Sequence, residues 1–317
     1  MLVIGAAGNI QHAPRTAFVQ FLRPGDLVVA NDAATLPASL PASHLRSGGE
    51  IEVRLAGRRS LDVEDVYQFS AIVLGAGDHR TRTEDRPAPP SLAAGDRLTL
   101  GPLSATIECL LGHPRLISLR FRGSPESIWA GLARHGRPIQ YAHVPEPLAL
   151  WDVWTPIAGP PVAFEPPSAS FVLDWRTIAE IRSRGAGFAT LTHAAGISST
   201  GDSELDRRLP FDEPYRIPDS TAFAVESTRA QGGRIIAIGT TVVRALEHAA
   251  GPDGRVKAGD GLATQRIGQA SQLRVVDAVL SGAHEPETSH YQLLRAFMDD
   301  ATLRRAQREL DVGRYRT

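Results

Sequence analysis

The sequence predicts an α/β (α+β) main body carrying an inserted all-β, barrel-like domain, and three observations lead there. The stretch RIIAIGTTVVRALEHAA, Arg234–Ala250, has clear strand-to-helix punctuation: an Ile-rich run, a Gly break, then Thr residues able to cap a helix. From Gly48 to Gly123 short alternating or apolar runs are separated by Gly, Pro and Asp, with no helix of convincing period among them. The chain has 317 residues, enough for about two domains that each bury a core. The predicted division gives residues 1–46 and 124–317 to the main body and 47–123 to the insertion.

Taken in order, MLVIGAAGNIQ opens like a dinucleotide-binding unit, but Gln11 stands at the third glycine position and Pro14 interrupts the helix such a unit needs. A hairpin or tight turn at Gly5–Asn9 is expected instead. PGDLVVANDAATLPASL reads as a turn at Pro24–Asp26, a buried strand at Leu27–Ala30 and an irregular loop carrying Asn31 and Asp32. Those two polar residues fit either a site or an Asx-turn that ends the strand. Within the insertion, Arg54, Arg58 and Arg59 form one basic cluster and Arg80, Arg82 and Arg86 another, which could track phosphates or coat a solvated surface. Cys109, in the apolar run IECLL, is expected to be an inert core thiol.

Ser124-Pro125 supplies an N-cap and a first-turn proline for the next helix. A Pro-rich aromatic stretch follows, with Trp151 and Trp154 able to stack on a purine or simply to pack. GFATLTHAAG is a strand bearing His193, and Asp219–Gln231 an amphipathic helix capped by Asp219. On the helix after Gly239, Val243, Leu246 and Ala250 share one side while Thr240, Arg244 and Glu247 share the other. The polar side fits a ligand site or a solvated Arg244–Glu247 pair. LRVVDAVLSG then reads as a buried strand ending near His284, and a helical pair completes the chain.

Composition narrows the function classes. Hydrophobic residues at 42% and charged residues at 22% describe a folded globular chain, and a formal net charge of −1 leaves any nucleic-acid contact to a local patch. A single Cys excludes an internal disulfide, no metal-ligand cluster has the needed spacing, and Lys257 is the sole lysine for Schiff-base chemistry. No apolar run reaches about 18 residues and MLVIGAAG lacks the features of a secretory leader, so a cytoplasmic protein without a membrane partner is expected.

GTTVVRALE resembles the GTT-x-x-R-x-LE element of the S-adenosylmethionine:tRNA ribosyltransferase-isomerases of queuosine biosynthesis. Pro24–Leu40, Gly48–Leu55 and Val275–Ser289 resemble three further elements of that family in the same order, so the likeness spans nearly the whole chain. Two arginines of the family pattern are replaced by Ala34 and Ser39, and an Asn-Phe pair before His284 by Gly282 and Ala283. The resemblance implies an enzyme that moves the ribosyl part of S-adenosyl-L-methionine (AdoMet), its co-substrate, onto 7-aminomethyl-7-deazaguanine in the anticodon stem-loop of tRNA. Epoxyqueuosine then forms while adenine and methionine leave. A paralogue that binds nucleotide or RNA without turnover, or uses another acceptor, is the alternative. Such chemistry needs an anion seat, a flat adenine pocket, a base near the ribose 5′ carbon and a basic RNA track. On this resemblance Asp32, His193 and His284 are the candidate catalytic residues. Asn31, Ser168, Gly239, Thr240, Thr241, Arg244 and Glu247 are the candidate cofactor-binding residues, with the amides of Gly239–Thr241 and Arg244 receiving the methionine carboxylate.

Overall fold

A computed structural model describes residues 1–286 and 288–315. Six strands form the main sheet in the order Gly259–Ala263, Glu213–Ile217, Gly187–His193, Leu27–Asn31, Ile235–Ile238, Ala278–Leu280. The last four run parallel, and the first two extend one edge antiparallel. Leu27–Asn31 is covered on both faces and buried at every position, which is why it reads as an apolar run rather than an alternating one. Helices Trp175–Ser183 and Asp219–Ala230 precede two of the parallel strands as crossovers. The second begins at Asp219 itself with Pro218 in the capping position, one residue earlier than expected.

Asp26 explains the sequence PGD. Its carboxylate is buried and receives Arg234 Nη2 at 2.6 Å, Arg234 Nε at 3.1 Å and the Arg23 amide at 2.8 Å. One side chain therefore joins the turn before the central strand to the start of its parallel neighbour.

The β-rich segment closes into a six-stranded antiparallel barrel: Leu116–Phe121, Gln68–Gly75, Gly49–Gly57, Ser39–His44, Arg97–Leu100 and Leu103–His113. The stave Ser39–His44 lies before residue 47, so the closed sheet begins earlier in the chain than the β-rich composition does. Pro41 and Ala42 carry little strand signal; the pairing with Gly49–Gly57 across the Gly48 turn recruits them.

Three of the arginines expected to track phosphates or to coat a solvated surface are instead inside. Arg54 Nε meets Glu52 Oε1 at 2.6 Å and Arg86 Nη1 meets Glu52 Oε2 at 2.5 Å, all three side chains being buried. Arg58 is buried too, whereas Arg59, Arg80 and Arg82 are exposed. Cys109 is exposed rather than core. Pairing shifts register between Ser118 and Leu119, where Ser118 faces Cys109 but Leu119 faces Ile107. That bulge breaks the alternation which would have turned the thiol inward.

The termini behave as read: Leu2–Ile4 pairs antiparallel with Ile10–His12, and the Gly5 amide donates to Asn9 O at 2.9 Å. Arg15–Phe21, where the family resemblance implies a helix over Arg15–Leu22, forms a 3₁₀ helix. Ser124 caps Pro125–His135, and helices Ser289–Leu294 and Asp300–Val312 follow the last parallel strand. Ala278–Leu280 is only half-buried, because it is an edge of the sheet. No helix among the described residues is long and apolar enough to cross a membrane.

The Glu52→Gln variant tests the barrel's charge cluster. It leaves two buried guanidiniums without a counter-charge and is expected to lower stability by about 3–5 kcal/mol, read from urea unfolding. Burial alone would raise the Glu52 pKa, but Arg54 and Arg86 outweigh it and hold it below the ordinary value. The stabilisation is therefore complete above the unfolded value of about 4.3 and is lost as pH falls through the folded one. Stability of the variant should show a weaker decline on that acid side.

Candidate functional site

The parallel strands end on a common side, and a cleft of about 450 Å³ opens there. Three strand ends contribute to it: Ala195–Gly196 beyond Gly187–His193, Gly239–Thr241 beyond Ile235–Ile238, and Ser281–His284 beyond Ala278–Leu280. Tyr141 from the segment after the barrel and Glu165–Ser168 from the loop before Ser168–Val172 close the other side.

Gly239 has φ +94°, a conformation that disfavours any side chain, and it turns the strand directly into helix Thr240–Ala249. The first residues of the helix, Thr240 and Thr241, line the cleft, and a helix N-terminus carries a partial positive charge suited to an anion. The expected segregation into a core side and a polar side is not what the fold uses. Thr240, Val242, Val243, Arg244, Ala245 and Leu246 are all buried, since the sheet covers one side and the Phe211 and Ala263–Gln265 backbone the other.

Arg244 lines the cleft but does not pair with Glu247. Its Nη1 forms an ion pair with Glu213, and its Nη2 donates to Ala263 O at 2.9 Å, Gln265 O at 3.2 Å and Phe211 O at 3.3 Å. Nε is buried without a hydrogen-bond partner among the described residues. Glu247 lies away from the cleft and accepts from the amides of Arg274, Val275 and Val276 at 2.7–2.9 Å, fastening the loop before the edge strand.

Asn31 is likewise occupied by the protein. Its Nδ2 donates to His193 O at 2.9 Å and Thr241 Oγ1 at 3.4 Å, while its Oδ1 accepts from the amides of His193 at 2.9 Å and Ala33 at 3.0 Å. Asp32 accepts from Thr192 Oγ1 at 2.7 Å and does not line the cleft. Burial nevertheless raises its pKa, against the lowering effect of Thr192 and Thr190. His193 is fully buried behind the cleft wall, stacked on Tyr215 with ring centroids 6.5 Å apart, and its Nε2 lies 3.4 Å from Glu213 Oε2. Burial, then the Arg244 charge, drives its pKa well below the usual value, so the ring is neutral. Strand alternation separates the two neighbours, Thr192 toward Asp32 and His193 toward Tyr215.

Of the three catalytic candidates, His284 does enter the cleft. Its Nε2 lies 2.6 Å from Ser281 Oγ and its ring stacks on His290 at 4.8 Å. Burial first and His290 second pull its pKa down to about 3. Ser168, Gly239, Thr240, Thr241 and Arg244 line the same cleft. Trp151 is exposed and outside it, whereas Tyr141 is inside.

Two carboxylates that sequence reasoning passed over are central. Glu165 Oε1 accepts from Tyr141 Oη at 2.5 Å and from the Ser198 amide at 3.0 Å, and burial raises its pKa despite those bonds. Glu213 Oε1 accepts from the Gly196 amide at 2.6 Å, and burial raises its pKa against the opposing Arg244 charge. A Cβ at residue 196 would meet Glu213 Oε1 at 2.8 Å, so glycine permits that approach. Both glutamates directly precede prolines, in FEPPS and DEPYR, and this placement at rigid bends was the only local signal.

The cleft thus joins a helix N-terminus, a partly free arginine, a neutral imidazole and two buried carboxyls with raised pKa values. Such pairs of oppositely shifted groups suit proton transfer in both directions. Residues 1–316 match the family model described as queuosine biosynthesis protein. The chain is 33% identical over 307 residues to S-adenosylmethionine:tRNA ribosyltransferase-isomerase of Ralstonia nicotianae, covering 94% of this chain and 79% of that one. The protein of that name from Citrifermentans bemidjiense is 32% identical over 320 residues, with 98% and 86% covered. That from Geobacter sulfurreducens is 31% identical over 327 residues, with 100% and 89% covered. This chain belongs to the queuosine biosynthesis protein family.

Proposed function

We propose that the protein is a cytoplasmic tRNA ribosyltransferase-isomerase that transfers and isomerises the ribosyl part of AdoMet onto 7-aminomethyl-7-deazaguanine in the anticodon stem-loop, giving epoxyqueuosine. The observation that carries this reading is the convergence of the Gly239–Thr241 amides, Arg244, Glu165 and His284 on one cleft in a chain that matches the family from end to end. The barrel is proposed as an inserted domain whose junction with the α/β body bounds the site.

The roles follow from the chemistry of each group. The first amides of helix Thr240–Ala249 and Arg244 Nε form the seat for the methionine carboxylate. Tyr141 offers a ring face for adenine. Adenine leaves as a base that needs a proton, and Glu165, raised by burial and beside Tyr141, is the carboxyl suited to donate it. The remaining proton is taken near the ribose 5′ carbon, and His284, neutral at working pH, is the acceptor. So low a pKa makes a weak base; a substrate carboxylate seated near the helix end would raise it by favouring the imidazolium. Ser168 lies on the cleft rim as a hydroxyl donor, while Asn31 and Glu247 hold the framework.

Adenine release, followed by chromatography with AdoMet and an anticodon stem-loop carrying 7-aminomethyl-7-deazaguanine, tests the whole reading. Release that depends on both partners is expected; no release under saturating conditions would sink it. Glu165→Gln keeps the acceptor for Tyr141 and Ser198 but cannot donate a carboxyl proton. Its release rate should fall by about 10²–10⁴-fold, with the AdoMet-induced rise in Tm retained. Arg244→Ala leaves Glu213 buried without its cation, so the Tm should drop, by about 3–5 kcal/mol in stability. AdoMet should no longer raise the Tm of that variant, and an undiminished shift would remove Arg244 from the seat.

A further inference from the structure

A second cleft, of about 600 Å³, lies where the barrel meets the α/β body. It shares Pro210 with the first cleft, and the next residue, Phe211, lines it while accepting Arg244 Nη2 at its carbonyl. Four arginines line it against two aspartates: Arg58 and Arg59 from the barrel side and Arg208 and Arg266 from the body, with Asp65 and Asp212.

Arg58 is the unusual member. The residue is 4% exposed, yet its Nε and Nη1 have no hydrogen-bond partner among the described residues. Only Nη2 is engaged, on the carbonyls of Asp62 and Asp65, and the guanidinium sits 5.9 Å over the Phe69 ring. Arg54 and Arg86 in the same barrel are neutralised by Glu52, but no carboxylate among the described residues forms an ion pair with Arg58. A buried guanidinium with two open donors is costly unless an anion completes it. Arg59 and Arg266 are exposed, so the cleft continues to solvent as a basic wall.

We infer that this cleft is a phosphate seat, in which the free edge of Arg58 receives a backbone phosphodiester of the RNA substrate and Arg59 and Arg266 flank it. The partner's identity rests on the function proposed above, while the oxyanion chemistry rests on Arg58 alone. A phosphate held here anchors the RNA on the far side of Pro210 from the reacting groups. It fixes register without reading sequence.

The test is the binding of a labelled, unmodified anticodon stem-loop, without AdoMet, by fluorescence anisotropy across a salt series. Arg58→Gln is expected to bind about tenfold more weakly and to reduce the slope of log K against log salt by about 1. Because Arg58 also holds the Asp62–Asp65 loop, Arg59→Gln, at an exposed residue, is measured in parallel and should lose slope in the same sense. Unchanged affinity and slope in both variants would overturn the assignment. Thermal stabilisation of the wild type by inorganic phosphate, absent in Arg58→Gln and accompanied by unaltered RNA binding, would overturn the RNA as its source. A protein that shows the Arg58-dependent slope but releases no adenine keeps the seat and loses the reaction. One that releases adenine with an unchanged slope does the reverse.

Discussion

The geometry of the cleft at the strand ends depends on the side-chain amide of Asn31. It ends the central strand and satisfies all of its hydrogen-bonding capacity at once, on both the amide and carbonyl of His193, on Ala33 and on Thr241. Those bonds tie the ends of two parallel strands to the first turn of helix Thr240–Ala249. An unmatched amide at a fully buried position would cost about 1–3 kcal/mol per open group, so the three segments have little freedom to move apart. The position of the helix N-terminus at the cleft is consequently a fixed feature of the sheet.

Burial then sets the chemistry. Carboxyls of Glu165 and Glu213 move up and the imidazoles of His193, His284 and His290 move down, because low polarity penalises the charged form of each. Arg244 is the cation that keeps this from being a uniformly neutral interior. It opposes the rise at Glu213 and deepens the fall at His193 and His290. One guanidinium thereby couples the titration of three groups around the cleft, and its backbone contacts hold it where that coupling acts.

The arginines of the barrel show how one residue type divides between architecture and binding. Arg54 and Arg86 converge on Glu52 and become part of the barrel interior. Arg58, four positions beyond Arg54 on the same polypeptide, emerges at the seam with the α/β body, where a cleft replaces the counter-carboxylate. Spacing along the strand could not separate these fates, since the deciding partner Glu52 pairs through side-chain reach and Arg86 arrives from a distant loop.

The sequence by itself determined the fold class, an α/β body with a closed β-barrel, and the strand-to-helix turn at Gly239. Strong local grammar carried that information: β-branched runs, the Gly239 break, the Ser124-Pro125 start, and the ordered family elements around them. The family resemblance pointed to Gly239, Thr240, Thr241, Arg244, Ser168 and His284, all of which line the cleft. Only the tertiary structure decided what each polar group does. Asn31 and Glu247 were drawn into backbone contacts, His193 and Asp32 were turned out of the cleft, and Glu165 and Glu213 were brought in from segments with no motif of their own. The barrel's first stave, the exposure of Cys109 and the open edge of Arg58 belong to the same class. Each depends on which distant residue lies opposite, and partner distance is set by packing rather than by spacing in the chain.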